Sequence, residues 1–269
     1  MKPHTSWGYE HYKPLFYASG DIYICRIAPF AGGFTFDTKE YPDTAFEVYL
    51  RKRSETEFTC VGRMTGRTFT VRELDDATDY AFYVCENGKK SRERLVRTGE
   101  GIGDSHVINY LHPDDEIYAF SGRYLCSPSL VRHPDGFLLA SMDLYQTRYP
   151  QNLTLIFRSD DDGVHWTHLA ELFPCFWGKL FIHHGKLYMF GASTEYGDLQ
   201  IGCSEDGGKT WSAPTVLFRG SDGKNGESGW QCNPEPVVEY QGRIWYTVEW
   251  GQWERGYHAP AVLSAPVDA

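Results

Sequence analysis

No apolar stretch in the 269-residue chain approaches the roughly 18–20 residues that cross a bilayer, so membrane insertion is not expected. Positive charge is short as well. Lys and Arg number 26 against 36 Asp and Glu, the net charge is −10, and no long basic run offers a grip on a phosphate backbone. Nucleic acid is therefore excluded as the expected partner. The seven cysteines are odd in number and none forms a CxxC pair, which argues against a complete disulfide framework and against a zinc finger. The opening MKPHTSWGYEHYKPLFYASG has no apolar core segment, so no signal peptide is visible. Localisation stays open, with a lean to the cytoplasm. Helical periodicity is scarce throughout.

Hydrophobic residues at 41% and charged residues at 23% are ordinary for a folded protein, so disorder is not the main state. Aromatics reach 16%, with eight Trp and 18 Tyr, a content that suits β-structure and carbohydrate-facing surfaces. Strand-like runs separated by Gly, Pro, Asp and Asn recur from end to end. Examples are AFEVYLRKR from Ala45, DYAFYVCENG from Asp79, GFLLASMDL from Gly136 and GKLYMFGAS from Gly185. The expected fold class is all-β, and the length favours two domains. The small, polar, Gly-rich stretch RTGEGIGDS, Arg97 to Ser105, marks the boundary. The expected division is an N-terminal extension over 1–17, a β-sandwich over 18–98 and a repetitive part over 105–269.

In the first part, Leu74 and Tyr80 stand six residues apart, and Tyr80 opens a run in which Tyr80, Phe82 and Val84 share one face. A tyrosine at such a corner buries its ring and returns its hydroxyl to the backbone a few residues upstream. With Thr78 two residues before Tyr80, this arrangement resembles the fibronectin type III module over about 18–98. The resemblance implies a spacer, an accessory on the carbohydrate side or a protein contact, with no catalytic residue.

The second part repeats itself. LCSPSLVRHPDGFLLASMD from Leu125, PCFWGKLFIHHGKLYMFGA from Pro174 and QCNPEPVVEYQGRIWYTVE from Gln231 each carry a cysteine, an apolar strand, a turn ending in Gly and a second apolar strand. The spacing of about fifty residues lies in the range of propeller blades. Between the copies stand SDDDGVHW, Ser159 to Trp166, and SEDGGKTW, Ser204 to Trp211, both reading Ser-x-Asp-x-Gly-x-x-Trp. The Asp suits a turn in which its carboxylate accepts backbone N–H groups, the Gly supplies positive φ, and the Trp packs on the hairpin. This pair resembles the Asp-box, or BNR repeat, of sialidase-type β-propellers, over about 105–269. The resemblance implies that the hairpins join the third and fourth strands of each blade. The opposite face then binds ligand. Complete blades are expected over 123–173 and 174–220. The third copy holds three strands, which gives an incomplete propeller of about two and a half blades. The chain is accordingly expected to be the N-terminal part of a longer protein, or a half-disc that associates.

That opposite face selects the candidate residues. Asp143 and Glu249 occupy one repeat position at the end of a second strand and are expected to face a shared pocket, with Glu195 in the corresponding loop of the middle copy. Glycoside hydrolysis needs such an acid and a base or nucleophile about an oxocarbenium-like centre. Asp143, Glu249 and Glu195 are the catalytic candidates. Arg123, Arg148 and Lys179 are candidates for meeting an acidic sugar, and Trp177, Trp230 and Tyr257 for lining it. Trp253 is a further ring for stacking, whereas Trp166 and Trp211 belong to the hairpins. His183 and His184 read as solvated turn residues. The sequence departs from the sialidase pattern at one point: the Arg-Ile-Pro run that opens the first blade is Cys126-Ser127-Pro128, so one arginine of the carboxylate-binding triad is absent. Cys126, Cys175 and Cys232 share a repeat position, but small buried residues at crowded strand starts explain them better than a metal site. No cofactor is expected; a calcium ion, which many secreted propellers carry, stays an open alternative, although no loop of EF-hand type supports it. The expected partner is a glycan. The expected activity is a sialidase-like, exo-acting glycoside hydrolase on an acidic or amino sugar. The alternatives are a non-catalytic glycan- or protein-binding propeller, and a propeller-type polysaccharide lyase using Tyr257 or His258 as base.

Overall fold

A computed structural model describes residues 21–39, 41, 44–99, 106–221, 227–233 and 235–268. The 1–17 extension and most of the Gly-rich boundary lie outside these residues. The fold is all-β, with no α-helix among the described residues.

The first unit is a two-sheet sandwich. One sheet is formed by β1 (Ile24–Phe30), β2 (Gly33–Thr38) and β5 (Thr68–Val71), in the order β1-β2-β5. The other has β4 (Thr59–Thr65), β3 (Ala45–Lys52), β6 (Asp79–Glu86) and β7 (Lys89–Lys90) in that order, with β8 (Arg94–Arg97) also on β6. Strand periodicity decides the packing: Tyr80, Phe82 and Val84 enter one core with Phe34, Phe36, Phe46 and Val48. Phe82 lies 4.8 Å from Phe34 and 5.0 Å from Phe36, centroid to centroid. At the corner, the Tyr80 hydroxyl accepts the Asp75 N–H at 3.1 Å, and Leu74 packs against the same core.

The second unit is a row of blades. The first has β9 (Tyr124–Arg132), β10 (Leu138–Tyr145), β11 (Thr154–Ser159) and β12 (Thr167–Leu172), each antiparallel to the next. The second has β13 (Phe176–His183), β14 (Lys186–Ala192), β15 (Leu199–Ser204) and β16 (Thr215–Phe218) in the same arrangement. In the third, β17 (Gly229–Cys232) and β18 (Val238–Tyr240) share one side of β19 (Arg243–Gln252), and β20 (Tyr257–Pro266) takes the other. Pro236 lies between β17 and β18, where a residue without an N–H cannot continue the ladder. Among the described residues no fourth strand joins this sheet.

Alternation along the second strand of each blade sends neighbouring side chains to opposite faces. Leu139 packs toward the second blade with Leu187 and Met189. Ala140, Met142 and Leu144 pack the other way, against Tyr23 and Cys25 and against Leu111, Ile117 and Tyr118 of the connecting segment. Phe190, Tyr246 and Val248 close the interface between the second and third blades.

Both inter-strand hairpins close alike. Ser159 Oγ accepts the Gly163 N–H, Asp161 accepts the His165 N–H, and Trp166 Nε1 donates to the Gly163 carbonyl at 2.9 Å. In the second blade Ser204, Gly208, Asp206, Thr210 and Trp211 repeat these contacts, with Trp211 Nε1 on the Gly208 carbonyl at 3.0 Å. Gly163 and Gly208 take φ of 91° and 92°, which a residue with a Cβ reaches only under strain. His183 and His184 are not simply solvated: each ring Nε2 lies within 2.9 Å of the Val267 carbonyl, holding the chain after β20.

Candidate functional site

The loops that follow the second strands all lie at the blade ends away from these hairpins. Glu195 is the point where three of them meet. Its own loop turns sharply, with Tyr196 at φ 63° and the Gly197 N–H on the Thr194 carbonyl at 2.9 Å. Gly220 and Gly229 pass against this turn, where an added Cβ would run into the Tyr196 backbone. From the first blade, Gln151 Nε2 donates to Glu195 Oε2 at 3.0 Å and to the Gln146 carbonyl at 2.9 Å. From the third blade comes a 3₁₀ turn, Trp253–Arg255, capped by the Gln252 side chain and ended by Gly256 in the left-handed region. The Trp253 N–H donates to the Tyr196 hydroxyl at 3.2 Å, and the Trp253 side chain hydrogen-bonds Glu195. Burial raises the Glu195 pKa, while hydrogen bonds from Gln151, Tyr196 and Trp253 act in the opposite direction. A half-buried carboxyl shifted this way keeps its proton to higher pH than a solvated one, as a general acid must.

Glu249 belongs to the same neighbourhood through the third blade. Its Oε2 lies 2.9 Å from His258 Nδ1, and the His258 ring packs 4.0 Å from the Trp253 ring. Two of the three candidate carboxylates, Glu195 and Glu249, are thus linked through Trp253 and His258. Trp253 is 59% exposed and Tyr257 52%, which leaves both rings available at the rim. Arg148, in the first-blade loop, is also exposed.

Asp143 stands apart from them. It pairs with Cys126 on β9 and Thr154 on β11, and its side chain turns into the interface with the second blade. There Oδ1 accepts the Thr154 hydroxyl and the Gly178 N–H, the latter at 3.4 Å. The residue is 0% exposed, and burial pushes its carboxyl up to about 7. Asp143 therefore holds the bulge at Trp177 and Gly178 in the next blade. Glu249, at the same repeat position, lies on the face turned away from the second blade. The expectation of a pocket shared by these two is corrected accordingly: Asp143 turns into the interface with the second blade, whereas Glu249 is on the opposite face from Tyr246 and Val248, which pack against the second blade.

Four other candidates are also relocated. Lys179 is buried beside Asp143 and the thiols of Cys126 and Cys232, where its positive charge lowers the cost of their ionisation. Arg123 is engaged by Glu116 at 2.9 Å and by the Tyr149 hydroxyl. Trp177 stacks on Phe176 and packs between the second and third blades. Trp230 packs against Phe218 and Trp250 in that same layer and donates to the Arg219 carbonyl at 2.9 Å. Both rings are partly buried and pack against the layer between the blades.

All seven cysteines are free thiols, and burial pushes Cys126 and Cys232 up to about 12. Among the described residues, no group of three or more His, Cys, Asp or Glu is arranged to hold a metal ion.

Buried polar atoms without a hydrogen-bond partner gather near these loops: Gln146 Oε1, Gln151 Oε1 and Asn152 Oδ1 in the first blade, and Gln231 Nε2, Thr247 Oγ1 and His258 Nε2 in the third. Sequence reasoning missed Gln231. The available signal was its repeat position, held by Leu125 and Pro174 in the other copies.

No family model matches the chain, and no curated protein does. Among solved structures with partial similarity are glycoside hydrolases. An α-L-arabinanase from Penicillium chrysogenum, complexed with arabinobiose, is 20% identical over 58% of this chain and 49% of its own, with a TM-score of 0.42. An α-L-arabinofuranosidase from Fusarium graminearum is 16% identical over 53% and 45%, with a TM-score of 0.41. A glycosyl hydrolase from Bacteroides ovatus is 13% identical over 91% and 66%, with a TM-score of 0.41. The chain spans about half the length of the first two.

Proposed function

We propose that this chain is the glycan-handling part of a glycoside hydrolase built on a sialidase-like propeller, with a fibronectin-type sandwich at its side. The observation that carries the reading is Glu195: a half-buried carboxyl with a raised pKa, held by groups from three blades beneath the exposed ring of Trp253. In this reading Glu195 gives its proton to the leaving-group oxygen as the glycosidic C–O bond breaks. Glu249 is the second carboxylate, taking either the sugar centre or the proton of the attacking water. Trp253 and Tyr257 line the sugar, and Arg148 is the exposed cation open to an acidic substituent. The sialoside is the less favoured substrate. The triad position is occupied by Cys126, and Arg123 is already bound to Glu116 and Tyr149.

The test is release of a fluorogenic leaving group from glycosides of pentoses, hexoses, amino sugars, uronic acids and sialic acid, with Glu195→Gln measured beside the parent chain. Turnover on one sugar, reduced by about 10²–10⁴ in kcat in the variant, is the expected result. Turnover unchanged in Glu195→Gln sinks the assignment of the acid. Saturable binding of the matching oligosaccharides without release establishes the second reading, a binding propeller, which the complete burial of Asp143 favours.

A further inference from the structure

We propose that Gln231, Thr247 and His258, gathered around Glu249, form a subsite for the hydroxyl groups of a sugar. The proposal rests on the glycan reading and adds residues to it. Gln231 is the direct partner of Glu249 across β17 and β19, so both side chains leave the same face of the sheet. Thr247 lies two residues before Glu249 on that face, and His258 reaches Glu249 from β20. Three of these residues carry a buried polar atom with no hydrogen-bond partner: Gln231 Nε2, Thr247 Oγ1 and His258 Nε2. A buried orphan of this kind is unfavourable and calls for an occupant.

The set is chemically selective. His258 Nδ1 lies 2.9 Å from Glu249 Oε2, and in the tautomer that donates Nδ1–H to this carboxylate Nε2 is left as an acceptor. Gln231 Nε2 is a donor only, and Thr247 Oγ1 can do either. A donor, an acceptor and a hydroxyl around one carboxylate match sugar hydroxyls, each of which donates one bond and accepts others. The Trp253 ring, 4.0 Å from His258, supplies the apolar wall that a sugar face needs. A bare cation would leave Gln231 Nε2 unsatisfied, and an anion would meet Glu249.

The experiment measures affinity and stability together, on the whole chain. The probe is the oligosaccharide of the panel above that binds most tightly, titrated calorimetrically into the parent, Gln231→Leu, Thr247→Val, His258→Gln and Glu195→Gln. Nitrogen-15 spectra of the imidazole report the His258 tautomer with and without the probe. The expected result is roughly tenfold weaker binding in Gln231→Leu and in His258→Gln. Thermal midpoints should be unchanged or higher in Gln231→Leu, since an orphan has been removed. The Nε2 resonance should move when the probe binds. Parent-like binding in Gln231→Leu and His258→Gln overturns the subsite while leaving the Glu195 reading intact. Lower thermal midpoints with parent-like binding also overturn it, assigning the orphans to ordered water. An Nε2–H tautomer overturns the acceptor role of His258. No binding of any sugar by the folded parent removes the glycan reading and the subsite with it, and the tautomer spectrum then still records whether the Glu249–His258 contact exists.

Discussion

At Asp143, a residue type suited to catalysis has been used to join two blades. The carboxyl is wholly buried, and desolvation, the largest influence on it, raises its pKa to about 7 against the pull of Thr154, Gly178 and Lys179. The consequence for stability has a definite sign. The unfolded chain releases this proton near pH 4, whereas the folded chain keeps it to about pH 7. Between those values the folded state binds more protons. The group's contribution is therefore complete below about pH 4, falls as pH rises and is lost above about pH 7. Asparagine is neutral throughout and retains an oxygen for the Thr154 and Gly178 donors. Asp143→Asn should match the parent near pH 4 and exceed its melting temperature at pH 8, by at least about 2 °C. A melting curve that drops at every pH would show that the ionised form is the one the fold uses. The sequence displays Asp143 and Glu249 at one repeat position, but Asp143 lies opposite Cys126 and Glu249 opposite Gln231, and the burial of Asp143 depends on what the next blade supplies. The bulge at Trp177 and Gly178 that receives Asp143 has no signature in the Asp143 strand. Glu195 was legible as a loop carboxylate at the blade end, but its partners Gln151 and Trp253 come from segments about 44 and 58 residues away.

At the scale of the element, the blade boundaries were legible because a turn Gly and a Trp hairpin recur in register. The expected blades over 123–173 and 174–220 contain the observed strands 124–172 and 176–218. The alternating face, Tyr80, Phe82 and Val84, was legible for the same reason. The two hairpins also support a prediction that separates backbone strain from packing. Gly163 and Gly208 have almost the same φ, so an Ala at either suffers similar backbone strain, about 1 kcal/mol. Their surroundings differ. A Cβ at Gly163 would meet the Trp166 ring at an ordinary 3.7 Å. At Gly208 it would lie 3.0 Å from Leu169 and 3.3 Å from Leu187, and Leu187 is fully buried between the first two blades. Gly208→Ala should therefore cost about 1–3 kcal/mol more than Gly163→Ala in urea unfolding. Equal costs would mean that the hairpin does not press on the first blade.

At the scale of the molecule, the sandwich and the first blade are joined by a buried polar and apolar layer that the Gly-rich boundary in the sequence did not announce. Cys25 and Tyr23 of the first unit share a core with Leu144 and Phe157 of the blade. The Tyr23 and Tyr118 hydroxyls bond to each other, and Arg67 and Lys39 donate to the His168 and Leu169 carbonyls of β12. Arg94 of β8 pairs with Asp115 of the connecting segment at 2.7 Å, with both side chains almost fully buried. Such a layer couples the two units energetically, unlike a sparse flexible linker. The tryptophans make the coupling measurable, because apart from Trp7 every one lies at position 166 or beyond, in the blades. Phe82→Ala opens a cavity in the sandwich core, whose cluster holds no tryptophan among the described residues, and should cost about 3–5 kcal/mol. In a coupled molecule, the unfolding transition seen by tryptophan fluorescence shifts to lower denaturant along with the far-ultraviolet circular dichroism of the whole chain. Removing one partner of the buried ion pair, as in Asp115→Ala, strands the Arg94 charge in the interface. The two transitions should then separate, the sandwich losing its order before the blades. If Phe82→Ala leaves the tryptophan transition where it was, the sandwich folds as an independent attachment and the shared layer contributes little to the blades.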